Sequence, residues 1–441
     1  MKQYFLYSTL AITLICSVTT HSQTLTLKSC LETGLEHNYS IRIIRNNEEI
    51  SHNNATPANA GLLPTIDLTA GYTGDIGNTR TESRNGTINH ENGAYDQTVN
   101  AGLSLGWTVF DGFKITTNYQ RLKELEKAGE LDTRIGIENL IADLTAEYYN
   151  YIQQAIRLKN FRYAVSLSKE RLRIVEERYN IGSFSRLDLQ QARVDFNSDS
   201  SKYIKQQELL HSSRIRLNEL MGYTDVDAHL KLKDTLINVN EHMDQQAILE
   251  STLSVNTELL RAELDKKLAD LDLKTILSRN YPYLKINSGY GWTFNKYGKA
   301  STAQRSNFGF NAGATVGFNL FDGNRRRERK NARLTIQNAD LRKQELEQGL
   351  KADFYNLWQA YRNNIEMLTL ERENLIAARE NHEIAMERYL LGNLSGIEMR
   401  EAQKSLLDAE ERILTAEYDT KLCEISLNQI SGQITTYLEK D

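Results

Sequence analysis

Two hydropathy periods alternate along this chain, and the alternation happens twice. Over residues 25–55, Leu27, Leu31, Leu35, Ile41, Ile44 and Ile50 recur at helical spacings, which predicts an amphipathic helix ended by Pro57 and Gly61. The period then drops to two. In 65–73, Ile66, Leu68, Ala70 and Tyr72 oppose Thr65, Asp67, Thr69 and Gly71. In 99–109, Val99, Ala101, Leu103, Leu105, Trp107 and Val109 oppose Asn100, Gly102, Ser104, Gly106 and Thr108. Both stretches read as strands, and the period-free segment 74–98 between them reads as a long external loop. From Gly112 to Tyr179 the helical period returns without a proline, carried by Leu140, Leu144, Tyr148, Tyr151, Ala155 and Leu158. It turns at Gly182 and comes back to Gly222. At 1.5 Å per residue such a helix is roughly 100 Å long. Its apolar stripe needs a partner of similar length, so the pair is expected to form an antiparallel coiled hairpin.

The whole order then repeats. A helix is expected over 243–278, strands over 284–294 and 308–320 around a loop 295–307, and a helical hairpin running out over 324–389 and back over 395–430. Leu350, Phe354, Trp358, Tyr361, Ile365 and Leu368 keep the places of the six residues named above, and Arg178-Tyr179-Asn180-Ile181-Gly182 returns as Arg388-Tyr389-Leu390-Leu391-Gly392. The chain is a tandem duplication. The first repeat covers 23–222, with a strand hairpin at 62–110 and a helical hairpin at 112–222. A connection at 223–242 holds a strand-like piece at 230–236. The second repeat covers 243–441, with hairpins at 283–321 and 324–432.

Composition agrees with long uninterrupted helices, because only 3 prolines occur in 441 residues. Residues 1–22, with Lys2 and an apolar run over 10–18, read as a secretory signal peptide. The net charge of -5 gives no reason to expect nucleic acid. Cys30 and Cys423 lie in helical patterns and read as small apolar core side chains, although an oxidising compartment also allows a disulfide between them. The histidines lack metal-ligand spacing, and neither a nucleophile elbow nor a phosphate loop is present. No metal, no cofactor and no enzymatic activity are therefore expected.

The polar strand faces hold Gly, Asn, Ser and Thr, which suit a water-filled lumen, while the apolar faces end in Tyr and Trp and suit lipid. About ten residues also match a tilted membrane strand. Four strands in hydrocarbon would leave two open edges, each unpaired group costing several kcal/mol. The sheet must close with other copies, and a dimer of about eight strands or a trimer of about twelve would do so. Arg325-Arg326-Arg327, with Arg329 and Lys330, opposes the dipole of the helix it starts. Its place just past a membrane strand fits anchoring to inner-leaflet headgroups.

Helix, strand hairpin and long helical hairpin, twice over, with Pro64 and Pro282 before strands, Phe110-Asp111-Gly112 and Phe321-Asp322-Gly323 after them, and Arg-Tyr-x-x-Gly at each helical tip, resemble the TolC-like outer-membrane efflux protein family. The resemblance covers essentially the whole mature chain. It implies an α+β membrane protein, a homotrimer whose 12-stranded barrel in the outer membrane of a Gram-negative bacterium continues as a 12-helix periplasmic tunnel. It further implies a passive export channel docked to a periplasmic adaptor and, through it, to an inner-membrane pump of RND or ABC type. A type I protein-secretion conduit is the alternative within that class, and a non-channel adaptor-like coiled coil the alternative outside it. By position, Gly182, Ser183, Phe184, Gly392, Asn393, Leu394 and Ser395 become adaptor-facing turns. Asp188, Tyr389, Glu398 and Glu401 become gate and entrance residues, with a hydrogen bond expected between Tyr389 and Asp188. Leu394 stands where an arginine joins this lock in the family, which leaves Arg186 or Arg400 to substitute.

Overall fold

A computed structural model describes residues 25–299 and 302–439, so the signal peptide lies outside the described residues. The first repeat consists of α1 (Leu27–His37), α2 (Tyr39–Asn54), α3 (Pro57–Ala60), β1 (Thr65–Glu82), β2 (Ile88–Asp111), α4 (Lys114–Asn180) and α5 (Arg186–Met221). The second consists of α6 (Gln245–Val255), α7 (Thr257–Ser278), β3 (Tyr283–Lys296), β4 (Gln304–Gly317), α8 (Asn324–Leu390) and α9 (Gly396–Ile430), closed by a 3-10 turn at Ile434–Leu438.

Each expected leading helix is in fact two, and one residue type breaks both. Asn38 stops α1 and caps α2, its Oδ1 accepting from the amides of Ser40 and Ile41 while its Nδ2 donates to Leu220 O at 2.9 Å. Asn256 does the same in the second repeat, accepting from Leu259 N at 3.0 Å and donating to Ile430 O at 2.9 Å. An asparagine cap costs nothing in hydropathy period, so the period ran through it. It also hooks each leading helix onto the end of a returning one.

The four strands form one antiparallel sheet in the order β1-β2-β3-β4. Register brings the apolar positions together: Leu68 faces Leu103, Leu103 faces Tyr290, and Tyr290 faces Phe310. On the other side Asn100 faces Gly71 and Thr293, and Gly291 faces Gly102 and Gly309. Large apolar side chains on the first face are bare, with Leu68 at 78%, Phe310 at 70% and Val316 at 74% exposure. Water does not favour so continuous a patch, whereas hydrocarbon does.

Segment 74–98 is not a loop. β1 runs on to Glu82 and β2 begins at Ile88, with a register shift between Gly77 and Thr79. The Gly, Asn and Thr content that signals a loop in a soluble chain here belongs to a polar, two-sided ribbon overhanging the sheet. In the second hairpin β4 stops at Gly317, short of the expected 320. The strand-like piece at 230–236 contributes only a bridge from Leu232 to Leu25.

The main core lies at the waist, where α1, the inter-repeat connection and the C-terminal turn wrap α4, α5 and α9 around Leu31, Leu144, Tyr148, Leu217, Met221 and Ile434. Tyr148 is fully buried, and its Oη donates to Asp234 at 2.7 Å, fixing the connection. A second cluster centres on Phe354, also fully buried, with Tyr361 and Leu427. Burying one such side chain contributes about 1.5–3 kcal/mol. Cys30 is buried there as a free thiol, and Cys423 is free as well. Beyond the waist only small alanine-rich clusters line the hairpins out to their tips.

Candidate functional site

The two helical tips are built alike from the backbone upward. Gly182 and Gly392 take φ of 76° and 80°, the left-handed region that only glycine occupies cheaply. The glycine amides donate to Tyr179 O and Tyr389 O, and Ser183 N and Asn393 N reach back to Arg178 O and Arg388 O. Each return helix then opens with a capping box. Ser185 Oγ accepts from Asp188 N while Asp188 Oδ2 accepts from Ser185 N at 3.0 Å. Ser395 and Glu398 repeat the exchange, again with 3.0 Å between Ser395 N and Oε2.

This geometry decides what the acidic residues do. The hydrogen bonds from Ser185 hold the Asp188 carboxyl below its usual range, and those from Ser395 do the same for Glu398. Both side chains are therefore ionised caps at exposed positions. Tyr389 is almost fully buried among Ala385, Met399 and Ala402, with Leu394 packed against them, and burial pushes its phenol up. Its Oη has no hydrogen-bond partner among the described residues, so the expected bond to Asp188 is not formed. The physical reason is local: Asp188 already satisfies its own helix end. Glu401 is exposed on the following turn.

The tips are joined by arginines instead. Arg178 lies over the rings of Phe184 at 5.2 Å and Tyr389 at 5.6 Å, one from each tip. One level below, Arg171 of α4 pairs with Asp195 of α5, and Arg400 of α9 grips Asp199 of α5 through both Nη atoms. Arg400 thus takes part in a link between the hairpins, whereas Arg186 forms no such link among the described residues. Of these, only Arg178 stood inside a sequence motif; the acidic partners carry no local signal because they come from the opposite repeat or the facing helix. A cleft of about 460 Å³ opens between the tips, with Arg178, Phe184, Asp188, Asn393, Leu394 and Glu398 on its walls. Ile181, Leu187, Leu391 and Ile397 stand bare around it at 75–80% exposure.

No group of acidic, histidine or cysteine side chains among the described residues could hold a metal ion, and no described helix is long and apolar enough to cross a membrane.

The model of the family "Outer membrane efflux protein" matches residues 31–223 and 248–433. Outer membrane protein TolC of Vibrio cholerae serotype O1 is 21% identical over 395 residues, covering 86% of this chain and 84% of the relative. Its Escherichia coli K12 namesake is 19% identical over 393 residues, covering 86% and 76%. Among solved structures, the CmeC outer membrane channel of Campylobacter jejuni superposes with a TM-score of 0.76 at 16% identity, over 92% of this chain and 85% of that one. VceC of Vibrio cholerae gives 0.75 at 15% identity, over 92% and 96%. The chain belongs to the outer membrane efflux protein family and is a TolC-like efflux conduit of the outer membrane.

Proposed function

We propose that three copies of this chain close head to tail into a barrel continued by a periplasmic tunnel, and that the distal tips dock on a periplasmic adaptor serving an inner-membrane pump of RND or ABC type. The observation that carries the closure is internal to the chain. α7 is wedged between α4 of the first repeat and α8 of its own, with Thr257 Oγ1 donating to Glu138 at 2.9 Å and Lys267 pairing with Glu124 at 2.6 Å. Its counterpart α2 packs on α4 but leaves Tyr39, Ile43 and Ile50 bare, at 56–63% exposure. On α8, Leu334 and Leu341 are bare in turn, at 48% and 60%. Aligning the capping Asn38 with Asn256, and Gly182 with Gly392, puts α2 of one copy on α8 of the next in the way α7 sits on α4. The open edges β1 and β4 would pair at the same joint, a heterologous contact that forms a ring when its rotation closes.

The tips reach roughly 100 Å from the sheet, and their bare aliphatic pairs, Ile181 with Leu391 and Leu187 with Ile397, fit an apolar helical partner. Gly182, Ser183, Phe184, Gly392, Asn393, Leu394 and Ser395 shape that surface. Three copies of Asp188, Glu398 and Glu401 gather negative charge at the mouth and favour cations there, with Tyr389 behind them as the packed element of the gate. The conduit is passive and the pump supplies the energy.

Cysteine cross-linking tests the closure. Tyr39→Cys with Gln348→Cys replaces the counterparts of Thr257 and Glu138, and a short bismaleimide should join separate chains into a ladder ending at three. Wild type, with Cys30 and Cys423 alone, controls for background. Products confined to single chains, or a ladder ending at two, would reject the trimer. Planar-bilayer recording of the uncross-linked protein should show a conductance, and its persistent absence in an Arg400→Gln variant with loosened tips would reject the channel.

A further inference from the structure

The stretch that leads from β4 into α8 carries chemistry that neither the sheet nor the helical hairpin requires. Phe318, Leu320 and Phe321 are bare at 50%, 87% and 87% exposure. Six basic residues follow between 325 and 333, against the single acid Glu328. Glu328 is taken by Arg279 of α7 at 2.7 Å. Arg325 turns back to donate to Asn319 O at 2.9 Å, tying the first turn of α8 to the apolar segment. Arg326, Lys330 and Arg333 are exposed and form no ion pair with any described residue. Arg326 lies in the first turn of α8, where positive charge opposes the helix dipole. Lys330 and Arg333 extend its helix face at spacings of four and three, so the three form an unpaired cationic stripe open to an anion from outside the chain.

The first repeat serves as a control. Counterparts of Arg326, Lys330 and Arg333 on α4 are Thr116, Gln120 and Lys123. Two of the three are neutral, so the helix start needs no cation there. Thr116 and Gln120 also remain exposed although α4 is flanked by both α2 and α7. Thr117, the counterpart of Arg327, is only 8% exposed. When a neighbouring copy covers the free flank of α8, Arg327 is thus buried in the joint while Arg326 and Lys330 stay accessible, and Arg333, whose counterpart Lys123 is half-exposed, stays partly so.

Height along the molecule names the anion. Phe318 and Leu320 continue the alternation of the lipid-facing Phe308, Phe310 and Val316, so the hydrocarbon ends near them. Aromatic side chains mark such a boundary, and Trp107 and Phe113 stand bare at the matching junction of the first repeat, with the bare Tyr281, just before β3, against Phe113. Arg326 begins six residues beyond Leu320, within reach of the headgroup layer for a long cationic side chain.

We propose that Arg326, Lys330 and Arg333 form a binding surface for the phosphates of anionic phospholipid in the periplasmic leaflet of the outer membrane. The inference rests on reading the four strands as the membrane part.

The test uses the full-length mature protein in nanodiscs of phosphatidylcholine mixed with phosphatidylglycerol, with retained lipid counted by native mass spectrometry. Wild type should select phosphatidylglycerol. The R326Q/K330Q/R333Q variant should lose that selection roughly tenfold or more while keeping phosphatidylcholine and its oligomer, and R326K/R333K should keep the selection. Equal phosphatidylglycerol retention in wild type and the neutral variant overturns the proposal. So does a neutral variant that changes only the ion selectivity of the channel, because the cations then face the lumen. A wild type that inserts and conducts but shows no lipid preference rejects this surface and leaves the channel standing, whereas a wild type that never inserts removes the membrane reading beneath it.

Discussion

Arg400 on the second hairpin holds Asp199 on the first through two parallel bonds of 2.7 and 2.8 Å, and the Asp199 side chain is only 2% exposed. Asp199 raises the Arg400 pKa through this contact, which keeps the guanidinium charged. Asp195 lies 3.9 Å from Arg400 Nε and also receives Arg171, so the clasp spans three helices. Removing one member of a buried pair leaves the other charge uncompensated, at a cost of about 3–5 kcal/mol. Arg400→Gln is therefore expected to speed hydrogen exchange in both tips and to raise single-channel conductance, while Arg400→Leu with Asp199→Leu restores protection. Unchanged tip exchange in the single variant would show that the clasp does not hold the hairpins together.

Four glycines should respond to alanine in a set order. At Gly182 and Gly392 an added Cβ meets nothing within 4 Å, so only the left-handed backbone resists it, at about 1 kcal/mol. Gly222 has the same backbone at φ 75°, but its Cβ would stand 2.6 Å from the backbone of His37. Gly222→Ala should cost distinctly more and lower the yield of assembled protein. Gly349 lies in open space inside α8 with no left-handed strain, and alanine there should stabilise by about 0.5–1 kcal/mol. Thermal unfolding of the four variants measures the order; a destabilised Gly349→Ala would contradict the helix register.

His382 gives the tips an acid limit. It is buried in α8, its Nε2 has no partner among the described residues, and burial lowers its pKa despite the opposing charge of Glu383. The unfolded chain then binds the proton more readily than the folded one. The contribution of this group is complete above its ordinary value near 6.5. It falls as pH drops below that value, by up to about 1.4 kcal/mol per unit. His382→Leu should flatten that part of the stability profile. Buried Glu410 has a raised carboxyl pKa and the opposite sign, so the difference between variant and wild type is the quantity to measure. Identical profiles below pH 6.5 would mean that His382 is solvated when the tips breathe.

Period and duplication made most of this fold legible. The long hairpins, the paired tips and the two-faced strands follow from where leucines, small polar residues and glycines fall. What stayed hidden depended on contacts between repeats. Asn38 and Asn256 break their helices because each also finds a carbonyl on a returning helix, Leu220 or Ile430, more than 170 residues away in sequence. Residues 74–98 looked like a loop because a strand wet on both faces has no hydropathy alternation. At the tips, position locates the two glycine turns but pairs Tyr389 with an acid that is not free, since Asp188 closes a capping box with Ser185. Position offers Arg400 as a candidate for the link, but its partners Asp199 and Asp195 carry no signal because they lie on a different helix with no fixed spacing.

α4 and α8 each contain 67 residues, and α5 and α9 contain 36 and 35. One residue inserted into a single member of this set would turn everything beyond it by about 100° and lift its tip by about 1.5 Å. The seam would then face solvent, and one tip would overshoot the other. The two halves can therefore differ in chemistry but not in count, with 40 residues from Gly182 to Gly222 and 40 from Gly392 to Gly432, and a longer tunnel would require whole heptads added to the outgoing and returning helices of both halves together.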